Sequence, residues 1–356
     1  MRRSHRRLLE VAVAATLLGV LCSGSVLSPE WAVGEVVSSR KEMAPWRRCV
    51  KTSGANRALA LQGRNPDWET NIILCKEALD LETDSQKISF SLGALAGAYL
   101  GKGDLDTAIS IYWEAILLKP DVDLHFFLAD VHKKKGQDAE AVAVYKRIIS
   151  LRPDNARAHL YLGKTYEDMG QRDEATASYK EAVRLEPDLT EAHYSLGMAR
   201  SRTDGSLDAS IASYEEAIRL KPDLAEAHLN LGMAYEKKGW NEAAIASYEE
   251  AIRHKPDLAE AHRNLGMAYE KKGHSDKAIA SYKAAIHHKP DLAEANYHLG
   301  VVYALKGRRA LADHYLYEAA NTYLKAGRRE GAVKAYGHLK SLKSSRAHEV
   351  FKKLYP

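Results

Sequence analysis

Histidine is the residue type in this sequence whose spacing most suggests chemistry. Five of the fifteen histidines recur at intervals of 34 or 35 residues: His125, His159, His193, His228 and His262. A metal site needs several ligands within about 2 Å of one ion, whereas histidines this far apart in a repeating chain would form a ladder. We therefore expect a packing role for these side chains, and we predict no metal site and no cofactor.

Signatures of catalysis are missing from the sequence. It contains no Gly-x-Ser-x-Gly, no glycine-rich phosphate-binding loop and no His-Glu-x-x-His, the patterns expected of several large enzyme classes. The formal net charge of +5 falls to +2 without the first 25 residues, which is too small to indicate a nucleic-acid partner. We predict a protein that is not an enzyme, with a protein or peptide as partner and no small-molecule substrate.

The segments that carry the histidines are themselves repeated. The stretches PDLAEAHLNLGMAYEKKG from Pro222 and PDLAEAHRNLGMAYEKKG from Pro256 begin 34 residues apart, and a fixed period of this length is typical of a solenoid. Each period contains two runs with apolar residues at spacings of three and four, which predicts two amphipathic helices. Gly239, between the runs, suits a left-handed helix C-cap. Each unit is therefore a helical hairpin, helix A followed by helix B.

Proline and aspartate mark the boundaries between successive hairpins. Pro222 and its equivalents should end helix B, because the residue before a proline avoids the α region. The aspartate after each proline is predicted to be the N-cap of the next helix A, with a glutamate three residues later completing a capping box. The predicted pairs are Asp188 with Glu191, Asp223 with Glu226, Asp257 with Glu260 and Asp291 with Glu294.

The pattern of small and large residues resembles the tetratricopeptide repeat (TPR) family. When each unit is counted from the equivalent of Ala225, the family has Leu at position 7, Gly or Ala at 8, Tyr at 11, Ala at 20, an aromatic residue at 24, Ala at 27 and Pro at 32. One unit here has Leu162, Gly163, Tyr166, Ala175, Tyr179, Ala182 and Pro187 at these places. The resemblance covers about residues 85–340 in seven units. It implies an all-α fold, a right-handed α-solenoid of stacked helix-turn-helix repeats.

The same resemblance implies a binding surface. In this family helix A lines the concave groove of the superhelix, so a stripe along helix A would face a partner, and flexible methionines suit an adaptable apolar surface. The predicted partner-binding residues are Tyr194, Met198, Leu229, Asn230, Met233, Arg263, Asn264, Met267, Tyr297, His298 and Val301. We expect an extended or helical segment of a partner to lie across them. The alternative is that the methionines only pack between neighbouring A helices.

Both ends of the repeat array depart from the pattern. We predict a degenerate helical hairpin within residues 26–84, the array over residues 85–325 and capping helices over residues 326–356. Within the first hairpin, Trp46–Ala58 and Trp68–Leu81 should be facing helices with one cysteine each. The sequence has three cysteines, and an exported chain cut after Cys22 would keep two of them. An even number is consistent with a disulfide, so we predict a Cys49–Cys75 bond. Two buried free thiols are the alternative.

The unit from Thr190 to Lys221 matches the pattern less well than its neighbours. It has Arg200 where better-matched units have tyrosine, and Ser210 where they have alanine. Since coupling in a solenoid runs only between nearest neighbours, we expect this unit to be a weak point of the array.

Residues 1–25 are predicted to be a signal peptide that is cleaved between residues 23 and 32. A stretch with four arginines precedes an apolar run from Val11 to Cys22, and the small residues Ser23, Gly24 and Ser25 follow it. This order is typical of secretory signals, so the protein would be periplasmic or secreted. The alternative is a membrane anchor formed by residues 8–27, for which the apolar run is short.

Two functions remain open on the sequence alone. The first is a non-enzymatic, exported scaffold for protein–protein interaction that binds a peptide or protein segment in the groove of the superhelix. The alternative is an envelope assembly factor that acts by self-association or membrane tethering. A light-scattering mass separates them, because a monomer favours the scaffold and a polymer favours the assembly factor.

Overall fold

The computed structural model describes residues 43–202 and 207–355, and within these ranges it contains helices and turns but no strand. The predicted signal peptide, its cleavage positions and the alternative anchor at residues 8–27 lie outside the described residues. Two compact units divide the chain, Met1–Pro187 and Asp188–Pro356. Among the described helices, none has the length and apolar character needed to cross a membrane.

The described part of the first unit consists of helices that form antiparallel hairpins in chain order. They are α1 (Pro45–Leu61), α2 (Trp68–Leu81), α3 (Ser85–Lys102), α4 (Leu105–Leu118), α5 (Val122–Lys134), α6 (Asp138–Leu151), α7 (Ala156–Asp168) and α8 (Arg172–Leu185). In the first hairpin, Cys49 and Cys75 are fully buried. The structure joins them in a disulfide whose Cα atoms are 4.7 Å apart.

The second unit continues the same hairpin pattern and ends in a 17-residue helix, a 13-residue helix and a short 9-residue helix. Its helices are α9 (Thr190–Ser201), α10 (Leu207–Leu220), α11 (Ala225–Lys237), α12 (Asn241–His254), α13 (Ala259–Lys271), α14 (Ser275–His288), α15 (Ala293–Leu305), α16 (Arg309–Lys325), α17 (Arg329–Ser341) and α18 (Arg346–Leu354). A continuous apolar core connects α11 to α18, where Leu339, Val350 and Leu354 are buried.

A glycine of helix A and a tyrosine of helix B bring the two helices of a hairpin together. A Cβ atom added to Gly232 would lie 2.6 Å from a ring carbon of Tyr248, and the same distance separates Gly266 from Tyr282. The rings of both tyrosines are fully buried. Since real Cβ atoms do not approach other atoms this closely, only glycine lets the ring lie flat against helix A. The repeated glycine and tyrosine therefore have a packing cause.

The turns inside and between hairpins differ in how well the sequence predicts them. Gly239 has φ of 77°, which confirms the predicted left-handed C-cap. The predicted aspartate N-caps are wrong for Asp188, Asp223, Asp257 and Asp291, because the N-cap residues are the leucines that follow them and no side chain caps these helices. A backbone turn is found there instead: the Leu224 N–H donates to the Lys221 carbonyl at 3.2 Å, and the Ala227 N–H of the first helical turn donates to the Leu224 carbonyl at 3.0 Å. Glu226 accepts a hydrogen bond from Lys255 at 2.9 Å.

Candidate functional site

The predicted partner-binding residues all lie on the A helices α9, α11, α13 and α15 of the second unit. Two of them are buried, Leu229 at 6% exposure and Asn264 at 5%, so neither presents a surface to a partner. The other nine are half-buried: Tyr194, Met198, Asn230, Met233, Arg263, Met267, Tyr297, His298 and Val301. We call these nine residues the A-helix stripe.

The methionines of the stripe contact the core with part of each side chain. Met198 packs against a cluster that includes Tyr214 and Leu231. Met233 and Met267 pack against the core that runs from α11 onward. Each thioether thus has one side in the core and the remainder accessible, an arrangement that lets an unbranched side chain adapt to a neighbour.

The two asparagines among the predicted partner-binding residues form different hydrogen bonds. The Asn230 Nδ2 donates to the Tyr194 hydroxyl at 3.0 Å and so connects α11 to α9. Burial raises the pKa of Tyr194, which keeps the phenol neutral near pH 7. The Asn264 Oδ1 accepts from the Arg263 Nη2 at 2.8 Å, within the same helix. Asn264 therefore positions Arg263, whereas Asn230 belongs to the accessible stripe.

An ion-pair network holds the arginine of the stripe in place. Arg263 on α13 pairs with Glu294 on α15, and Glu294 pairs in turn with Arg328, 2.8 Å away. Burial alone would raise the pKa of Glu294, but the bonds from the two arginines outweigh burial and lower it. The network therefore connects the A helices α13 and α15 and extends to the residue before α17.

Glutamates at position 12 of helix A have structural partners that the sequence analysis missed. The buried Tyr248 donates its hydroxyl hydrogen to Glu236 at 2.9 Å, and Tyr282 donates to Glu270 at 2.6 Å. His298 Nδ1 also lies 3.3 Å from the Glu270 carboxylate. The recurrence of Glu at position 12 with Tyr at position 24 is the signal that could have revealed these pairs.

The histidines of position 4 bond the backbone at the boundary between hairpins. His228 Nε2 lies 2.9 Å from the Pro222 carbonyl oxygen, and His262 Nε2 lies at the same distance from that of Pro256. Burial lowers the pKa of His262. His228 also lies close to Glu250 and His254. In the part of the chain that the structure describes, the ligand atoms of these three side chains are near enough to one another to hold a metal ion.

This geometry defines a helical-repeat protein in which consecutive A helices present one row of side chains. The family model described as "TPR repeat" matches residues 129–170, 202–239, 237–273 and 271–307. The model described as "Tetratricopeptide repeat" matches residues 156–189. The chain belongs to the tetratricopeptide repeat family, and the predicted all-α solenoid fold is confirmed.

Three solved structures show the range of similarity. MamA is 35% identical over 47% of this chain and 97% of its own, with a TM-score of 0.44. The C-terminal part of a TPR repeat-containing protein from Cytophaga hutchinsonii is 17% identical over 71% and 99% of the two chains, with a TM-score of 0.57. YrrB, described as a TPR protein with an unusual peptide-binding site, is 21% identical over 55% and 97%, with a TM-score of 0.47. No curated protein matches the chain significantly in sequence.

Proposed function

We propose that this protein is an exported, non-enzymatic scaffold that binds an extended or helical segment of a partner protein along the A-helix stripe. The TPR fold is consistent with protein–protein interaction. The observation that carries the proposal is the row of Met198, Met233 and Met267, which stand at one repeat position on three consecutive A helices and are half-buried. A row of thioethers offers an apolar surface that can adapt to a partner's side chains.

The composition of the stripe is that of a binding surface. Tyr194 and Tyr297 stand at its two ends, and Arg263 lies between the methionines. Tyrosine, methionine and arginine are the residue types enriched at protein interfaces. Both tyrosines are already oriented by hydrogen bonds, Tyr194 to Asn230 and Tyr297 to His338 at 3.1 Å. Residues held in place before binding lose less conformational entropy when a partner arrives.

The proposal of a non-enzymatic role has support in how the polar groups are used. Around the stripe, Glu236, Glu270 and Glu294 each accept hydrogen bonds from tyrosine or arginine side chains. Burial alone would raise the pKa of Glu270 and Glu294, but these bonds outweigh it and lower both pKa values. These two carboxylates therefore stay charged and are poorly suited to take a proton near pH 7. These groups act as connectors between helices.

The binding surface is tested by reversing the polarity of the methionine row. The double variant Met233→Glu with Met267→Glu should weaken binding of a partner isolated with the wild-type chain about thirtyfold or more, since it places two charges in an apolar contact. Met169→Glu is the matched control, because Met169 is 39% exposed and lies in the first unit. Unchanged affinity of a double variant whose circular dichroism is native would contradict the proposal.

The competing assembly function predicts a different occupant of the stripe. If the chain binds copies of itself, a light-scattering mass well above that of a monomer should fall to the monomer mass in the double methionine variant. A scaffold for another protein stays monomeric in both forms. This comparison uses the same variants and decides between the two occupants.

Export is the part of the proposal that rests on residues 1–25. N-terminal sequencing of protein from the producing cell should find a start between residues 23 and 32. An intact Met1 in the cytosol would contradict export. In exported protein, thiol counting after denaturation without reductant should find neither Cys49 nor Cys75 free, because a buried disulfide persists in oxidising compartments.

A further inference from the structure

Imidazole and carboxylate side chains cluster at the end of hairpin α11–α12. His228 lies on α11, while Glu250 and His254 lie four residues apart on α12 and therefore on the same face of that helix. One ligand atom from each of the three residues lies within 4.8 Å of the other two. None of the three residues belongs to the A-helix stripe, and the proposed function does not use them.

Several contacts show that the three side chains face one another. The Glu250 carboxylate lies 3.7 Å from His254 Nε2. The rings of His228 and His254 stack with their centroids 5.5 Å apart. Arg253 also contacts the cluster, because its Nε donates to the Glu250 carboxylate at 3.0 Å.

The bond of His228 to the backbone determines which nitrogen is available. Because His228 Nε2 lies 2.9 Å from the Pro222 carbonyl oxygen, Nε2 must carry the hydrogen and Nδ1 keeps its lone pair. Metal-binding histidines commonly donate their second ring N–H to a backbone carbonyl in this way, which fixes the tautomer and raises ligand basicity.

We propose that His228, Glu250 and His254 bind one divalent transition-metal ion, with Zn²⁺ as the best match. Two imidazoles and one carboxylate form a donor set that zinc accepts, with a fourth position for water. Bonds of about 2.0–2.2 Å require the side chains to close by about an ångström. The exposed Arg253, whose Nη2 lies 3.2 Å from His254 Nε2, turns outward to solvent. The ion joins the end of α12 to α11.

Two other hairpins provide natural controls because each lacks one ligand. In hairpin α13–α14 the rings of His262 and His288 also stack with their centroids 5.5 Å apart. Ala284 occupies the position that Glu250 has in hairpin α11–α12. The hairpin α7–α8 has the glutamate, Glu181, but has Leu185 in place of the second histidine. Only the α11–α12 hairpin, among the described repeats, combines all three side chains.

Calorimetric titration of the full chain with ZnCl₂ tests the site. We expect one tight equivalent, an affinity at least tenfold weaker in His254→Ala and Glu250→Gln, and an unchanged affinity in His288→Ala. Arg253→Ala should bind zinc more tightly, because it removes a competing cation. Unchanged affinity in His254→Ala, or an equal loss in His288→Ala, would overturn the proposal.

A variant that gains a site tests the proposal in a way that a loss of folded structure cannot imitate. Ala284→Glu completes the ligand set of hairpin α13–α14 and should add a second zinc equivalent of similar affinity. Zinc should also raise the melting temperature of the wild type and not that of His254→Ala, because a ligand stabilises the state that binds it. If the Ala284→Glu variant still binds only one equivalent of zinc, two histidines and a glutamate at these positions are not sufficient for a site. That result would contradict the proposal.

Discussion

Hairpin α9–α10 and hairpin α13–α14 have the same fold but differ in the polar bonds that support it. In both, a Cβ atom on the helix A glycine, Gly197 or Gly266, would lie 2.6 Å from a carbon of the facing tyrosine ring. In α13–α14, Tyr269 also donates to Glu249 of the preceding hairpin at 2.6 Å. In α9–α10 that position is Arg200, which donates to Ser213 of its own hairpin at 2.8 Å.

A second difference lies inside the hairpins. Glu270 accepts a bond from the buried Tyr282, whereas the residue equivalent to Glu270 in α9 is Ser201. Hairpin α9–α10 instead buries Ser210, which donates to the Gly197 carbonyl at 2.8 Å. Burial lowers the pKa of Arg200, so its charge is costly in this position. The comparison indicates that apolar packing defines the hairpin and that polar partners adjust its stability.

The largest effect should come from the tyrosines that both hairpins share. Tyr214→Ala and Tyr282→Ala should each lower the free energy of unfolding by about 3–5 kcal/mol, since each removes a fully buried aromatic ring and leaves a cavity. Chemical denaturation of the full chain measures both. If Tyr214→Ala lowers the free energy of unfolding by less than half as much as Tyr282→Ala does, the tyrosine packing is not equivalent in the two hairpins.

A smaller, pH-dependent change in the free energy of unfolding should distinguish hairpin α13–α14 from hairpin α9–α10. Burial would raise the pKa of Glu270, but bonds from His298 and Tyr282 outweigh it and lower the pKa below 4.5. A lowered pKa in the folded state contributes stability above the unfolded value, and this contribution disappears as pH falls through the folded pKa. Glu270→Gln should therefore cost about 1.5–3 kcal/mol near pH 7 and progressively less below pH 4.5.

The control for this pH dependence is an exposed glutamate. Glu330 pairs with Lys334 on the surface of α17, so Glu330→Gln should leave the free energy of unfolding almost unchanged at every pH. A cost of Glu270→Gln that stays constant from about pH 7 to pH 3 would contradict the carboxylate's role.

Hydrogen exchange should reveal the smallest difference. Amides of α9 and α10 should exchange about five to ten times faster than those of α11 to α14. The reason is that Arg200 stands where Tyr235 and Tyr269 each bond a glutamate of the preceding hairpin. Native-state exchange with mass spectrometry measures this along the chain. Equally slow exchange in α9 to α14 would mean that Arg200 and Ser210 support hairpin α9–α10 as well as the tyrosine and alanine of the other hairpins do.

The sequence predicts the hairpins well because their determinants are local and periodic. The contact of Gly232 with Tyr248 has equivalents in hairpins α7–α8, α9–α10 and α13–α14, so a single period contains the information. The N-caps were wrong because a proline turn forms backbone bonds that a side-chain pattern does not show. The partners of Glu236 and Glu270 were missed because a charged residue on a helix is usually solvated, and only the fold brings a buried hydroxyl beside it.

The stripe shows a further limit of sequence reasoning. Asn230 and Asn264 occupy the same repeat position in nearly identical segments, yet one is half-buried and the other is buried. The cause is the exchange of Leu229 for Arg263 one residue earlier, because the arginine bonds both Asn264 and Glu294. Whether this asparagine is buried therefore depends on a residue of the next hairpin, so the sequence of one period alone does not predict it.

The most direct test of the central claim is site-specific photo-crosslinking in the producing cell. A photoreactive residue at Met267 lies in the A-helix stripe, whereas one at Ala280 lies on an exposed position of the B helix α14. The account predicts a partner protein crosslinked through position 267 and none through position 280, with the product lost when Met233→Glu is present. Equal crosslinking at both positions, or a product that survives Met233→Glu, would contradict it.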